Sequence, residues 1–296
     1  MDLRVAIVAL LLVGARDSGL GAPLGTSDPA PRVPSPESRP VQPRKIHLRI
    51  HPRVGDTLRM RFDQLVQSAG PAPQASPVAS RSSAMHVMSR SVVEKVDESG
   101  TTVLTITDSA VFDAPGIDPR QVEAARRAMR GQWARMRVSP AGAMEMIAAP
   151  RDDESADAAG SAAITRLPGT LPETPVAVGQ TWTRELSLPW GVGTSPFSAG
   201  GRVDVVFRLD SVTAGGALAY VSMHGALARS GVAQSGTHVT TSGTMTGRLL
   251  VDLRRGWMTD SRAEFAMTTT WMPIEGSKAK PMQLRVTITQ SLHCND

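Results

Sequence analysis

Apolar and polar residues alternate along most of this chain. The alternation is strict at residues 45–51 and again at 58–63, with an apolar side chain at every second position. A run of about four to eight alternating residues indicates a β-strand with one buried face. Valine and threonine, which strands favour, are abundant in these runs. The same pattern predicts further strands at 203–209, 249–253, 265–271 and 284–288.

Turn sequences separate several of these runs. Residues 97–100 and 213–216 place glycine among acidic or small residues between two alternating runs, which predicts tight hairpin loops. The proline-containing stretch 69–80 predicts a flexible connection between strands.

Helix is a minor component of the prediction. Asp118 followed by Pro119 predicts a helix start, because aspartate accepts a capping hydrogen bond and proline needs no donor in the first turn. Gly131 is expected to end this helix, and residues 153–166 predict a second, weaker helix or a linker. A solvated helix face is expected, with contact to anionic lipid as the alternative, for Arg126, Arg127 and Arg130.

The two halves of the chain resemble each other. Residues 53–58 are similar to residues 177–182, and each half later has a tight turn, at Gly142 and at Gly256. The similarity predicts a duplicated β unit, with chance likeness between hairpin-rich segments as the alternative. The predicted parts are a first β repeat at 45–150, a linker or helix at 151–172 and a second β repeat at 173–296.

These features together predict a mainly β protein with a duplicated antiparallel architecture and one or two short helices. About ten strands are expected, and a sheet of that size curls, closes or splits into two layers. The expectation is therefore a curved sheet, a half-barrel or a sandwich.

The N-terminal residues predict export. A basic start at Arg4 and an apolar run at 5–13 are followed by small residues, which is the pattern of a secretory signal peptide. The signal is predicted at 1–15, with an alternative end near residue 22. A proline-rich, disordered linker is predicted at 16–44, because proline removes backbone donors. The mature chain is expected in the periplasm or outside a bacterial cell, without a transmembrane segment.

The chain has a single cysteine, Cys294. With no cysteine beside the apolar run, a lipoprotein anchor is not expected, and an intramolecular disulfide needs two cysteines. Cys294 is expected to be a half-exposed thiol in the C-terminal tail, with pairing between chains as the alternative.

The net charge of +5 and the isoelectric point of about 10.1 favour contact with anionic surfaces or polymers. The charge is spread along the chain, and no basic stripe with stacking aromatic residues is present. Nucleic acid is therefore not an expected partner.

Catalytic motifs are missing from the sequence, so no catalytic residue, cofactor or metal site is predicted. His47 and His51 have a spacing that binds zinc on a helix, but four residues along a strand span about 13 Å. They are expected to be solvated. The acidic residues 152–154 lack the spacing of a calcium loop and are expected to begin a solvated helix.

Methionine is frequent, with 14 residues in all, whereas phenylalanine and tyrosine are scarce. Methionine adapts to irregular apolar surfaces, so two interpretations are open. One is a malleable groove for an apolar ligand, and the other is a core that uses methionine in place of phenylalanine. The residues concerned are Met85, Met88, Met136, Met144, Met146, Met223, Met245, Met258, Met267 and Met282.

The octapeptide from Pro175 to Trp182 has the pattern P-V-x-V-G-x-x-W. Here the chain resembles a bacterial family of exported proteins of unknown function. The resemblance implies an envelope protein with a β-rich fold, and it carries no catalytic residue.

The sequence favours a non-enzymatic exported protein that binds an apolar or lipid-like ligand, or an envelope partner, on a concave sheet face. One alternative is an exported hydrolase whose site assembles only in three dimensions. Another is a scaffold or interaction domain held on the proline-rich stalk. The identity of the ligand and the oligomeric state are left open.

Overall fold

The computed structural model of this protein describes residues 44–70, 81–150, 166–167, 169–188, 201–232, 237–273 and 280–295. In these ranges the chain forms twelve strands and one helix: β1 Thr57–Ala69, β2 Arg81–Asp97, β3 Gly100–Asp113, α1 Pro119–Met129, β4 Trp133–Val138, β5 Met144–Ala148, β6 Arg166–Leu167, β7 Thr181–Leu188, β8 Gly201–Val212, β9 Leu218–Val232, β10 His238–Asp252, β11 Trp257–Met272 and β12 Met282–Asn295.

All twelve strands belong to one antiparallel sheet that is not closed. The strand order is β6-β5-β4-β3-β2-β1-β12-β11-β10-β9-β8-β7. Each half of the chain is a meander, and the first and last strands pair at the centre, where Phe62 lies opposite Leu292. The prediction of a mainly β, antiparallel architecture is confirmed.

Alternation puts the apolar residues on one face of the sheet. Across the central strands, for example, Leu292, Phe62 and Val87 lie side by side in register, and all three are buried. The buried residues from β1 to β12 form one hydrophobic cluster. Because no second sheet is present in the described ranges to cover this face, the sheet must curl around its own side chains. We refer to the clustered side as the inner face and to the opposite side as the outer face.

The two ends of the sheet differ in their connections. The end that we name the turn end has the short turns at 53–56, 97–100, 139–142, 213–216 and 252–256. The predicted hairpin loops at 97–100 and 213–216 are therefore confirmed. The opposite end, named the distal end, has the longer connections between strands, including the one that contains α1. The connection predicted at 69–80 also lies there, but residues 71–80 are outside the described ranges.

The strand predicted at 45–51 is wrong. Leu48 and Ile50 are buried, as the alternation requires, but the segment pairs with no neighbouring strand. Ile46 makes an isolated bridge with Val176, the Ile50 N–H donates to the Pro140 carbonyl, and the His51 N–H donates to the Gly256 carbonyl. The segment is extended with one buried side, and alternation alone does not distinguish such a segment from a strand in a ladder.

A second segment, residues 169–177, lies near the edge strand β7. The Leu171 N–H donates to the Ala141 carbonyl in the β4–β5 turn. The Trp182 indole N–H donates to the Thr170 carbonyl at 2.8 Å, and the Arg184 guanidinium donates to the Leu171 carbonyl at 3.0 Å. This segment therefore links the two halves at the turn end. We name residues 44–52 and 169–177 the closing segments.

The turns that precede β1 and β7 have the same geometry. Gly55 and Gly179 both have φ of 89°, a conformation that favours glycine. In the first turn the Asp56 side chain accepts a hydrogen bond from the Arg53 N–H, and in the second the Gln180 side chain accepts one from the Ala177 N–H, each at 2.8 Å. The local likeness seen in the sequence is thus present in the backbone, whereas duplication of the whole unit stays a prediction.

The helix predicted after Asp118 is confirmed as α1. The Asp118 side chain caps it by accepting a hydrogen bond from the Arg120 N–H at 2.8 Å, and Met129 anchors its last turn in the core. Gly131 follows with a φ of 79°. The second helix predicted at 153–166 falls almost entirely outside the described residues, and residue 166 belongs to β6. None of the helices in the described ranges is long and apolar enough to span a membrane.

Candidate functional site

At the turn end, the inner face is closely packed. A cavity of about 20 Å³ is found there, lined by four methionines (Met60, Met136, Met144 and Met258) together with apolar neighbours such as Trp257. This volume holds a single water molecule at most, and an apolar lining of this kind stays dry. These methionines therefore fill the core, and this cavity is too small for a lipid or a comparable ligand.

Glycines and methionines are paired across the inner face of the second half. Gly225 lies opposite Met245, Gly247 lies opposite Met223, and Gly243 lies opposite Met267. An added Cβ at Gly247 would overlap the methyl group of Met223, so the methionine occupies the space that the glycine leaves. This pairing lets long side chains fill a tightly curled surface. The glycines inside β9 and β10 are visible in the sequence, but the methionines that they face are known only from the strand register.

Toward the distal end, the same apolar face is only half-buried. Val66, Met267 and Val286 pack against the cluster but are partly exposed. Val66 lies in the same cross-strand row as Ile288 and Phe265. Met267 and Val286 lie opposite each other in the next row toward the distal end. Further along the same face, three more apolar side chains are half-buried: Val239, Trp271 and Leu284. The distal inner face is therefore a partly exposed apolar surface formed mainly by β10, β11, β12 and β1.

Few polar groups lie on this face, although the register places an exposed arginine, Arg81, opposite Ser68 at the distal end. Gln290 donates to Gln64 at 3.1 Å across the β12–β1 pair, and the hydroxyls of Thr241 and Thr269 are hydrogen-bonded at 3.0 Å. The only ionised side chain that is buried in the described ranges is Arg184, with 8% of its surface exposed. Its guanidinium contacts the Leu171 carbonyl, as above, and lies 3.6 Å from a Glu173 carboxylate oxygen.

Cys294 belongs to the core and is not a half-exposed tail thiol, so that expectation was wrong. It lies in β12 opposite Met60, and only 6% of its surface is exposed. Burial raises the pKa of the Cys294 thiol to about 12, with Asp260 adding to the rise and a hydrogen bond to Trp257 opposing it. A buried thiol with this pKa is inert near neutral pH. The sequence does not indicate this burial, because it depends on the pairing of β12 with β1 at the centre of the sheet.

The outer face has two histidine–aspartate pairs. The His86 Nδ1 lies 2.5 Å from an Asp63 oxygen, and the His293 Nδ1 lies 3.2 Å from an Asp260 oxygen. Partial burial works to raise the pKa of Asp63, but hydrogen bonds and charge from His86 and Arg61 outweigh it and lower that pKa. Both histidines are about half exposed on the convex side of the sheet. A general acid–base pair needs a substrate held against it, and this surface is not a cleft.

Further ion pairs on the outer side of β2, β3 and β4 are structural. Arg135 makes a bidentate contact with Glu94 at 2.6 and 2.9 Å, which lowers the pKa of that carboxyl. In the hairpin between β2 and β3, the Ser99 hydroxyl, Lys95 and Arg137 hold the pKa of Asp97 far below its ordinary value. Such exposed pairs contribute little to stability individually.

The remaining residues singled out in the sequence are not brought together. His47 and His51 are both exposed, and the His51 ring contacts the Arg49 carbonyl at 3.1 Å. Arg127 on α1 and Arg130 at its C-terminal cap are exposed, and Arg126 pairs with Glu123 at 3.4 Å. Residues 152–154 lie outside the described ranges. Within those ranges, no group of three or more histidine, cysteine or carboxylate side chains is placed to hold a metal ion.

The fold and this face define the class of protein: a single curled antiparallel sheet whose inner face is closed at one end and half-exposed at the other. Comparison with known proteins finds no matching family model and no curated protein of significant sequence similarity. The family resemblance of the octapeptide from Pro175 to Trp182 stays a prediction. The tryptophan of the octapeptide has a structural role. Trp182 stacks on Phe207 with ring centroids 5.7 Å apart, and its indole N–H donates to the Thr170 carbonyl of a closing segment.

Proposed function

We propose that this protein is a non-enzymatic carrier or receptor for an apolar or lipid-like ligand, which it binds on the distal inner face. The observation that carries the proposal is the half-buried apolar surface around Val66, Met267 and Val286. Water contact with an apolar surface costs about 25 cal/mol per Å². Covering this surface with a ligand would recover part of that free energy.

The contrast within the sheet supports the proposal. At the turn end, the closing segments and the methionines leave a cavity of only about 20 Å³. A face that existed only to form a core would be expected to be covered in the same way along its whole length. Contiguous apolar surface on a protein commonly marks a binding site.

Native mass spectrometry of the protein purified from its own host is the first experiment. A small molecule that co-purifies at a fixed stoichiometry would support the proposal, and its mass would give the ligand class. Recovery of only unliganded protein, together with failure to bind any neutral apolar probe, would contradict the proposal.

A matched pair of variants on β12 tests the location of the site. Val286→Glu places a charge on the distal inner face, whereas Thr287→Glu places the same charge on the outer face of the same strand. We expect Val286→Glu to weaken binding of the dye N-phenylnaphthylamine at least about tenfold, because a carboxylate is costly in an apolar site. Thr287→Glu should leave dye binding unchanged. Equal binding by both variants would place the site elsewhere.

The hydrolase alternative has one observation in its favour, the His86–Asp63 contact on the outer face. It predicts turnover of an ester substrate that is lost in His86→Ala, with dye binding unaffected. The scaffold alternative predicts that an envelope protein, and no small molecule, is recovered with this chain in pull-down experiments.

We further propose that the chain is exported, with the predicted signal at 1–15 removed, and that it acts in the bacterial envelope or outside the cell. An apolar ligand must cross an aqueous space there, so a carrier has a use in that compartment. Mass determination of the mature N-terminus in a periplasmic extract tests this proposal, and a chain that retains residues 1–15 in the cytoplasm would contradict it.

A further inference from the structure

Two glutamines face each other on the inner face, where β1 and β12 join the halves of the sheet. Gln64 and Gln290 are direct partners in the strand register, and the Gln290 Nε2 donates to the Gln64 Oε1 at 3.1 Å. Their lateral neighbours in the same row are apolar and buried: Met85 on β2 and Ala263 on β11. A polar pair thus interrupts an otherwise apolar row.

The pair lies at the boundary between the packed and the half-exposed parts of this face. Two residues toward the turn end, Phe62 and Leu292 are buried. Two residues toward the distal end, Val66 is half-buried, whereas its register partner Ile288 is still buried. Both glutamines are themselves half-buried. The amides therefore lie where the half-exposed distal surface meets the buried core.

The two amides retain hydrogen-bonding capacity. Their mutual bond uses one N–H of Gln290 and the carbonyl of Gln64, and no other side-chain hydrogen bond joins them to the described residues. The pair keeps three N–H donors and the Gln290 carbonyl. Neither amide is among the buried side-chain groups that lack a partner, so water can reach these donors and the acceptor, and a ligand group can replace that water. The retained donors and acceptor indicate a polar ligand group.

Among the described residues, no charged side chain adjoins the glutamine pair: Arg81 lies four residues along β2 from Met85, the register partner of Gln64, which is about 13 Å. Arg184 is on β7, six strands from β1 in the sheet order, where it contacts the Leu171 carbonyl and Glu173. Cys294 is protonated near neutral pH because its pKa is raised to about 12. An ionised carboxylate or phosphate next to Gln64 would therefore lose its hydration without gaining a counter-charge.

We propose that Gln64 and Gln290 bind an uncharged hydrogen-bonding group, such as a hydroxyl, on an otherwise apolar ligand. The proposal rests on the proposed function and specifies its ligand class: a neutral amphiphile. The amides donate hydrogen bonds to the polar group of the ligand and accept them from it, while the apolar part of the ligand covers Val66, Met267 and Val286. A purely structural pair that fixes the register of β1 and β12 would affect stability and leave ligand selectivity unchanged.

Displacement of N-phenylnaphthylamine by dodecanol and by dodecanoate at neutral pH tests the proposal on the full mature chain. Wild type should bind dodecanol more tightly than dodecanoate. Gln290→Leu and Gln64→Leu should each weaken dodecanol binding about fivefold, the loss expected for one hydrogen bond, while dye affinity is retained. Gln67→Leu makes the same change on the exposed outer face of β1 and should alter neither affinity.

The outcomes separate this proposal from the proposed function. If wild type fails to bind the dye and both dodecyl probes, the proposed function and this inference are both overturned. If wild type binds the dye, but the dodecanol-to-dodecanoate affinity ratio is unchanged in both leucine variants, only the inference is overturned. In that case a changed midpoint of urea unfolding in the leucine variants would assign the pair to register. A loss of dodecanol selectivity in folded leucine variants supports the inference.

Discussion

The turn end and the distal end of the inner face have the same alternating pattern but different packing. At the turn end, Leu58 and Met60 are buried, whereas on the same strand toward the distal end Val66 is half-buried. The difference arises from the closing segments, 44–52 and 169–177, which hydrogen-bond to the β4–β5 and β10–β11 turns at the turn end. Alternation thus determines which face is apolar, and separate segments determine how far that face is covered.

Thiol reactivity gives the largest expected difference between the two ends. Cys294 is buried near the turn end with a pKa raised to about 12 from the ordinary 9.0. Native Cys294 should therefore react with iodoacetamide at mildly alkaline pH about a thousandfold more slowly than a thiol of ordinary pKa. The thiol of the double variant Val286→Cys, Cys294→Ala should react much faster because the distal face is half-exposed. Mass spectrometry of the alkylated protein measures both rates, and equal rates would contradict the comparison.

A second prediction concerns glycine positions on the inner face. Gly247→Ala should destabilise the fold by about 3 kcal/mol or more, because the added Cβ would overlap the Arg262 carbonyl and the Met223 methyl group. Gly231→Ala is the distal control, since no atom lies within 4 Å of its added Cβ. Urea unfolding should show a change within about 0.5 kcal/mol for the control. Similar losses in the two variants would mean that the space around Gly231 is as restricted as the space around Gly247.

The closing segments can be loosened through Trp182. Trp182→Leu removes the indole hydrogen bond to Thr170 and the stack on Phe207, and we expect it to cost about 2 kcal/mol. Trp133 is a matched control because it is 37% exposed on β4, so Trp133→Leu should cost about 0.5 kcal/mol or less. Urea unfolding followed by circular dichroism measures both. Hydrogen exchange should also rise at Leu171 in the Trp182 variant, and unchanged protection there would contradict a closing role.

Much of the fold could be predicted from the sequence because its strands are encoded locally. Each strand run shows alternation, and the glycine turns mark their ends, so the hairpins at 97–100 and 213–216 were predicted correctly. The error at 45–51 has a physical cause: alternation reports one-sided burial, and the closing segment has that burial without strand partners. The burial of Cys294 could not be predicted because it depends on the pairing of β12 with β1.

The candidate site was much less predictable. Gln64 and Gln290 are 226 residues apart in the sequence, so nothing local indicates that their amides meet. The high frequency of methionine does not distinguish Met60, which is 2% exposed at the turn end, from the half-buried Met267. That distinction depends on the closing segments, whose contacts join distant parts of the chain.

The smallest effect is expected on the outer face, where the contrast between the two ends should disappear. Asp63→Asn removes the contacts with His86 and Arg61, and because these partners are about half exposed the loss should be about 1 kcal/mol or less. The folded-state pKa of Asp63 is lowered, so its contribution is present above the ordinary value of 3.8 and is lost as the pH falls through the lower folded-state value. Urea unfolding of wild type and variant should therefore differ at neutral pH and converge in strong acid, while Asp113→Asn, an exposed control on β3, should match wild type throughout. A loss of several kcal/mol at Asp63, or a difference that grows with acidity, would show that the outer face contributes more to stability than its exposure indicates. The packing contrast between the turn end and the distal end would then not be the main difference within this sheet.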